Sequence, residues 1–275
     1  MAINNGTLFI PYQFTQMSLT LTNSQGASGL YDIFLAYNSN SPVIGTGPVW
    51  STSTAGSCVR GTGAGTTQIS RDATTGLWVN TVSMSLIYNT GSGNNTITVG
   101  AGQGLYLGSI FVDGAAGQVS CYRSYGQSRK WGIFNAYNRV PLYLKAGDST
   151  ASWTYTTATW RSANGSTANS LVVFSGLAED IFELSYESAF QNNGAGSLAS
   201  IGIGYNSTTA TTGKIGMMGN YSNSGVSPSI PPARYITPPA LGINIITALE
   251  YSLATGTSTW YGTETNMLLS AIWKA

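Results

Sequence analysis

Four of the ten acidic residues in this chain fall close together, at Glu179, Asp180, Glu183 and Glu187. Clustered carboxylates are the raw material of glycoside hydrolysis, in which one acid protonates the leaving oxygen and its partner serves as base or nucleophile. The residues between them decide whether such a pair forms. Phe182, Leu184, Tyr186 and Phe190 alternate with Glu183, Ser185, Glu187 and Ala189, a period of two that predicts a strand with one wet face rather than a short helix. On a strand rising ~3.4 Å per residue, Glu183 and Glu187 stand roughly 13 Å apart. Hydrolases hold their carboxylates ~5–9.5 Å apart. The cluster therefore reads as a solvated strand face, with a surface-polysaccharide hydrolase that recruits a distant second acid as the alternative.

Other chemistries lack their parts. The chain has no histidine, which removes the commonest general base and the commonest metal ligand together. Serine nucleophiles are left without a base, and no Ser-x-x-Lys spacing replaces it. The two cysteines, Cys58 and Cys121, cannot supply the four ligands of a zinc site and are expected as two small buried thiols. Arg60-Gly61-Thr62-Gly63-Ala64-Gly65-Thr66 looks like a phosphate loop, yet it fits neither GxGxxG nor GxxxxGK(S/T), and no helical pattern follows. A flexible loop or bulge beside a sheet edge is expected there. No catalytic, cofactor-binding or metal-binding residue is assigned, and the chain is expected not to be an enzyme.

Aromatic rings are the remaining candidates. In Ser152-Trp153-Thr154-Tyr155, Trp153 and Tyr155 share one strand face, and Trp160 beside Arg161 falls on the other. Trp260-Tyr261 poses the same question near the C-terminus. Core packing is the ordinary fate of a ring, but paired aromatics on a charge-poor sheet suit sugar stacking or a subunit interface. Trp153, Tyr155, Trp160, Arg161, Trp260 and Tyr261 are therefore the candidate glycan or subunit contacts. Phe9, Ile10 and Tyr12 concentrate apolar area in a terminal segment, which is expected either as the first strand of the body or as a docking tether.

The rest of the chain must position these groups with strands. Charged residues make up only 8% of the chain, and 34 of its 275 residues are glycine. Met17, Leu19 and Leu21 alternate with Ser18, Thr20 and Thr22; similar patterns occupy Thr81–Leu86 and Ile243–Ile245. Leu105–Val112 and Gln118–Tyr122 flank Asp113-Gly114-Ala115-Ala116-Gly117, which predicts a hairpin, as does Asp72–Gly76 between Ile69 and Trp78. Asn164-Gly165 and Asn193-Gly194 mark turns. Pro228, Pro231, Pro232, Pro238 and Pro239 predict a long extended loop. The expected fold is an all-β, jelly-roll-like antiparallel sandwich with long Gly/Ser/Thr/Asn-rich loops. Residues 1–14 form the terminal segment and 15–275 one body, with a seam near 146–151.

A net charge of +1, with Arg129-Lys130 as the one tight basic pair and expected as a solvated strand end, gives no footprint for nucleic acid. No apolar run approaches the ~18 residues of a membrane span, and Met1–Asn5 lacks the features of a secretory leader. So sparse a charge favours association, pointing to a subunit assembled in a cytoplasm.

A series of short landmarks carries a resemblance across nearly the whole chain: Tyr31-Asp32-Ile33-Phe34, Gly47-Pro48-Val49-Trp50, the Arg60–Thr66 loop, Gly76-Leu77-Trp78-Val79-Asn80, Tyr106-Leu107-Gly108 and Phe134–Pro141. Ser152–Tyr155, Trp160-Arg161, Gly176–Asp180, Gly202–Thr208 and Ala248-Leu249-Glu250-Tyr251 continue it. In this order they resemble a family of tailed-bacteriophage and prophage virion surface proteins of the tail-fibre, head-fibre or spike type. The resemblance implies a β-rich structural and binding protein, homotrimeric, on the virion surface. Its implied partners are other virion proteins and, for host attachment, a host surface glycan. It carries no catalytic residues with it. With only the short Met1–Phe14 lead, it implies a compact knob, spike or capsid-decoration subunit.

Overall fold

The computed structural model describes residues 2–13, 16–89, 94–194, 197–220 and 231–275. Among these there is no α-helix, only strands, turns and one 3-10 turn at Ala163–Gly165. In the first part of the chain lie β1 (Ala2–Asn4), β2 (Phe9–Pro11), β3 (Gly29–Asn38), β4 (Ser41–Val49), β5 (Ile69–Arg71) and β6 (Trp78–Asn80). They are followed by β7 (Met84–Asn89), β8 (Asn94–Val99), β9 (Leu105–Val112), β10 (Arg129–Trp131) and β11 (Ile133–Asn135). The second part carries β12 (Pro141–Ala146), β13 (Ser152–Tyr155), β14 (Arg161–Ser162), β15 (Ser170–Ser175), β16 (Phe182–Ser188) and β17 (Phe190–Asn192). It ends with β18 (Ser197–Tyr205), β19 (Thr212–Asn220), β20 (Ala233–Thr237), β21 (Gly242–Ser252), β22 (Ser258–Tyr261) and β23 (Met267–Lys274).

One sheet runs β5-β6-β9-β3-β4-β7-β8 with β11 added on β9; a larger one runs β10-β15-β21-β18-β19-β20-β16-β23-β12 with β14 added on β21. Small sheets β1-β2 and β13-β22-β17 complete the curled, antiparallel, sandwich- and barrel-like arrangement. The all-β class read from the alternation is the fold.

Two cores share a wall. On β15, Leu171 and Val173 face one core while Val172 and Phe174 face the other; on β21, Ile246 and Ala248 oppose Ile243 and Ile245 in the same way. Strands buried on both faces need apolar residues at consecutive positions, which is why Leu171–Phe174 and Ile245-Ile246 break the wet-dry alternation. The first core gathers Leu30, Phe34, Trp50, Met84 and Phe134 from the smaller sheet against Phe174. The second gathers Leu144, Phe182, Tyr186, Ile201, Trp260 and Leu269. Each fully covered ring or branched side chain contributes about 1.5–3 kcal/mol, so neither core is a minor appendage of the other.

The chain changes sheets at Gly132. β10 pairs with β15, in the one parallel ladder among the described strands, and β11 pairs antiparallel with β9. A Cβ at Gly132 would lie 2.9 Å from the Phe111 carbonyl oxygen and 2.9 Å from Val119, so the crossing requires glycine. Arg129 and Lys130 are consequently half-buried in a sheet, with Lys130 paired to Asp113 at 2.9 Å, rather than a solvated strand end.

Other expectations are corrected by pairing. Gln118–Tyr122 does not fold back on β9; Cys121 bridges to Trp131 instead, because Asp113 turns the chain by accepting the Ser120 N–H at 2.8 Å. Met17, Leu19 and Leu21 are half-buried and alternate with exposed Ser18 and Thr20, but no strand forms there. In Thr81–Leu86 the strand begins only at Met84. The proline-rich stretch is not one loop: Ala233–Thr237, framed by Pro232 and Pro238, is β20 and sits between β19 and β16. The prolines stand outside the ladder, where their missing N–H costs nothing; Pro228 lies outside the described residues. The Asp72–Gly76 hairpin forms, with the Asp72 carboxylate accepting from Thr74 and Thr75 and Gly76 at φ +69°. Asn164, at φ 54°, and Gly165, at φ 64°, make the expected turn. Gly194 donates to the Asn192 side chain in the other. Along 146–151 the chain is tied down, with buried Asp148 held by Asn164 and Asn169.

Candidate functional site

Asp32 lies within the apolar run of β3 and is fully buried. Arg60 grips its carboxylate at two points, Nε to Oδ2 at 2.6 Å and Nη2 to Oδ1 at 3.0 Å, and the Ser109 hydroxyl donates to the same carboxylate. This planar two-point contact is the geometry that arginine alone offers a carboxylate. Nη2 also donates to the Gly176 carbonyl at 2.6 Å, and the guanidinium carbon lies 4.3 Å from the centre of the Trp50 ring. The Tyr106 and Ser109 hydroxyls, 2.6 Å apart, close the cluster.

The glycine-rich segment is thus a loop, as expected, but a docked one. Its neighbours Gly56 and Cys58 hydrogen-bond the backbone of Ile243 on β21, at 2.9 and 3.3 Å. Arg60 reaches the turn after β15 through Gly176. A Cβ at Gly176 would fall on the Tyr106 hydroxyl and within 2.7 Å of Phe134 and Ser109, so glycine is required by this close approach. Burial pulls the Arg60 pKa down, but attraction and hydrogen bonding to Asp32 outweigh it and leave it above the ordinary arginine value. The Tyr106 phenol is pushed far up, first by burial and then by the Asp32 charge. Neither group exchanges protons near neutrality, so neither serves as acid or base.

A second cluster forms around Glu250 on β21, also fully buried. Trp153 Nε1 donates to Oε2 at 2.7 Å, and Arg161 Nε and Nη2 reach Oε1 at 2.8 and 2.7 Å. Arg161 stacks on Tyr155, 3.8 Å from its ring centre. Here the arginine side chain keeps 34% of its surface exposed. Burial raises the Glu250 pKa above the usual carboxylate value against the opposing pull of Trp153 and Arg161.

The sequence-named aromatics divide between inside and outside. Trp153, Tyr155 and Trp260 are buried in the second core, with Trp260 4.4 Å from Phe190. Trp160, Arg161 and Tyr261 are half-buried. Trp160 lies over Gly202, which has no side chain to lift it off the sheet, and packs 5.3 Å from Tyr251. Phe9 and Ile10 are half-buried on β2; Ile3 on β1 is fully buried against Leu35 and Leu105, and Tyr12 meets Tyr37 edge-on at 6.4 Å. The terminal segment is packed on its own body, while its ends Met1 and Phe14 lie outside the described residues.

The acidic cluster is split. Arg139 binds Glu179 at 2.6 Å and also Asp180, and Arg71 reaches Glu179 at 3.2 Å. Phe182, Leu184, Tyr186 and Phe190 point inward as the alternation requires, leaving Glu183 and Glu187 exposed on one face of β16. Cys58 is a buried thiol and Cys121 a half-buried one, both free. Among the described residues no group of three acids or thiols is placed to hold a metal, and no helix is long and apolar enough to cross a membrane.

Comparison with protein-family models, with curated proteins and with solved structures finds no match to this chain. Its own residues give a different kind of order. Asp32, Trp50, Arg60, Tyr106 and Gly176 come from five separate landmarks of the sequence and meet in one cluster; Trp153, Arg161 and Glu250 come from three more and meet in the other. Sequence reasoning missed both ion pairs. The available signal was a charge inside an apolar run, at Leu30-Tyr31-Asp32-Ile33-Phe34 and at Ala248-Leu249-Glu250-Tyr251.

Proposed function

We propose that this chain is a non-catalytic structural and binding subunit of a phage particle, a fibre, spike or decoration protein on the capsid or tail surface. The observation that carries this reading is the allocation of its carboxylates. Asp32, Asp72, Asp113, Asp148, Glu179, Asp180, Glu250 and Glu264 each engage a side chain or turn that holds the fold. Glu183 and Glu187 alone are left over, four residues apart on an open strand, and that spacing of roughly 13 Å is too wide for a hydrolase pair. A molecule that spends its charges on internal fastening suits a rigid body whose work is contact. The phage setting rests on the ordered landmarks, whose residues converge on the clusters that fasten the two cores. Homotrimeric assembly, neighbouring virion proteins and a host surface glycan are the proposed partners, with Trp160, Arg161 and Tyr261 the accessible members of the aromatic set.

Two measurements test this. Purified protein incubated with capsule, lipopolysaccharide or peptidoglycan should release no reducing sugar; release that disappears with Glu183→Gln or Glu187→Gln would establish the hydrolase alternative. Antibody raised against the chain should decorate the outside of intact particles that encode it, and undecorated particles would contradict the virion role.

A further inference from the structure

The outer face of β19, β20, β16, β23 and β12 departs from the rest of the molecule in its charges. Elsewhere among the described residues an ionised side chain has an ion-pair partner, a stacked ring or at least one hydrogen bond. Among the described residues Lys214, Arg234, Lys274, Glu183 and Glu187 have no such partner, and all five are exposed on these strands. Lys214 and Arg234 are directly opposed across the β19–β20 ladder, an arrangement of like charges that is unfavourable unless something neutralises it.

Apolar residues share this face. The registers place Ile236, Glu183, Ile272 and Tyr143 side by side in one row across four strands. Ile236 is 65% exposed, Ile272 44% and Tyr143 41%, where the wet face of an antiparallel sheet is ordinarily polar. The next row holds Arg234, Ser185, Ser270 and Lys145. Isoleucines set among unneutralised charges of both signs form a surface that fits a partner carrying the same pattern.

We infer that this face is where a second copy of the chain docks, by two-fold pairing of sheet upon sheet. The mixture of signs selects the occupant: a nucleic acid would use only the cations, whereas a second copy supplies acids for the cations and cations for the acids. A two-fold axis running along the strands between β16 and β20 sets each acid-bearing β16 over the partner's cation-bearing β20. The strands are spaced ~4.8 Å apart within a sheet and packed sheets lie ~10 Å apart, within reach of paired long side chains. The same axis lays the Ile236–Glu183 row of one copy over that row of the other. Ile236 is then covered by the second copy's β16 while Glu183 reaches diagonally to the second copy's Arg234, and each contact occurs twice. This inference rests on the subunit role proposed above; as a two-fold contact it joins two copies in addition to the heterologous contact that would close a homotrimer, and it lies apart from the buried Trp153 strand.

The test is a charge swap read by sedimentation velocity at micromolar concentration. Wild type should associate, and Glu183→Arg and Arg234→Glu should each weaken association by about tenfold or more, because each replaces two attractive contacts by repulsive ones. Both positions are exposed, so circular dichroism and melting should match wild type. Mixing the two variants in equal amounts should restore association, since every contact in the mixed pair is again between opposite charges. A monomeric wild type would overturn the inference, as would association indifferent to both reversals or reversals that fail to complement. None of these outcomes bears on sugar release or on particle decoration, so the inference can fail while the subunit role stands.

Discussion

The Arg60 and Glu250 clusters are built from the same parts: a fully buried carboxylate, an arginine and stacked aromatic rings. They differ in where the arginine ends. Arg60 is only 9% exposed and spans from Asp32 in the smaller sheet to Gly176 behind β15. Arg161 keeps 34% of its surface in solvent and lies beside a strand of the sheet that carries Glu250. One cluster ties the two sheets together around the first core; the other seals the flank of the second. The chemistry of an ion pair therefore says little about its importance here, and the number of independent parts that meet at it says more.

This difference sets the size of the expected effects. Asp32→Asn leaves Arg60 charged, buried and without its counter-charge, and removing one partner of such a pair costs about 3–5 kcal/mol. Urea unfolding should show a loss of that order, and a loss under half of it would mean that the guanidinium finds water.

Glu250→Gln is expected to cost less, about 1–2 kcal/mol, because Arg161 can turn to solvent and only hydrogen bonds to a charged group are lost. The pH dependence sharpens the contrast. Glu250 holds its proton more tightly folded than unfolded, so the folded state binds more protons between the ordinary value of 4.5 and the raised one. Stability from this group falls as pH rises through that window. Asp113 and Asp148 are shifted downward, their hydrogen-bond donors outweighing burial, so their contribution is present above the ordinary carboxylate range and is lost as pH falls. Glu250→Gln removes only the first effect. Its cost relative to wild type should therefore shrink between about pH 4 and about pH 8. A cost that grows over that range would reverse the sign assigned to Glu250.

Arg139→Ala marks the lower end. It opens the network with Glu179 and Asp180, whose carboxylates keep 35% and 31% of their surface in solvent and can rehydrate, and such partly exposed pairs are worth about 0–1 kcal/mol. Its melting midpoint should move least of the three, and a shift rivalling that of Asp32→Asn would undo the ranking.

Local patterns were legible in the sequence wherever the deciding neighbours are close by. The inward set of β16, the span of β9 and the Asp72–Gly76 hairpin follow from spacing within ten residues. Arg60 is the opposite case. Its partners lie 28, 46 and 116 residues away, at Asp32, Tyr106 and Gly176, and nothing in a glycine-rich loop reveals a target so distant. β20 is hidden in the sequence because its flanking prolines argue against a strand, whereas they only bound it. The buried rings of Trp153, Tyr155 and Trp260 were ambiguous for a third reason. Alternation assigns faces, but it does not say that β13 and β22 fold over a second sheet with their aromatic face inward.

Two cores that share the β15 and β21 wall, with Arg60 tying the smaller sheet to that wall, should behave as one cooperative body. Differential scanning calorimetry of the intact chain tests this directly, since chains longer than about 150 residues commonly unfold in steps. A single transition is expected, with calorimetric and van't Hoff enthalpies in agreement. Two resolved transitions would show that the cores unfold independently and would contradict the shared wall and the clamp alike.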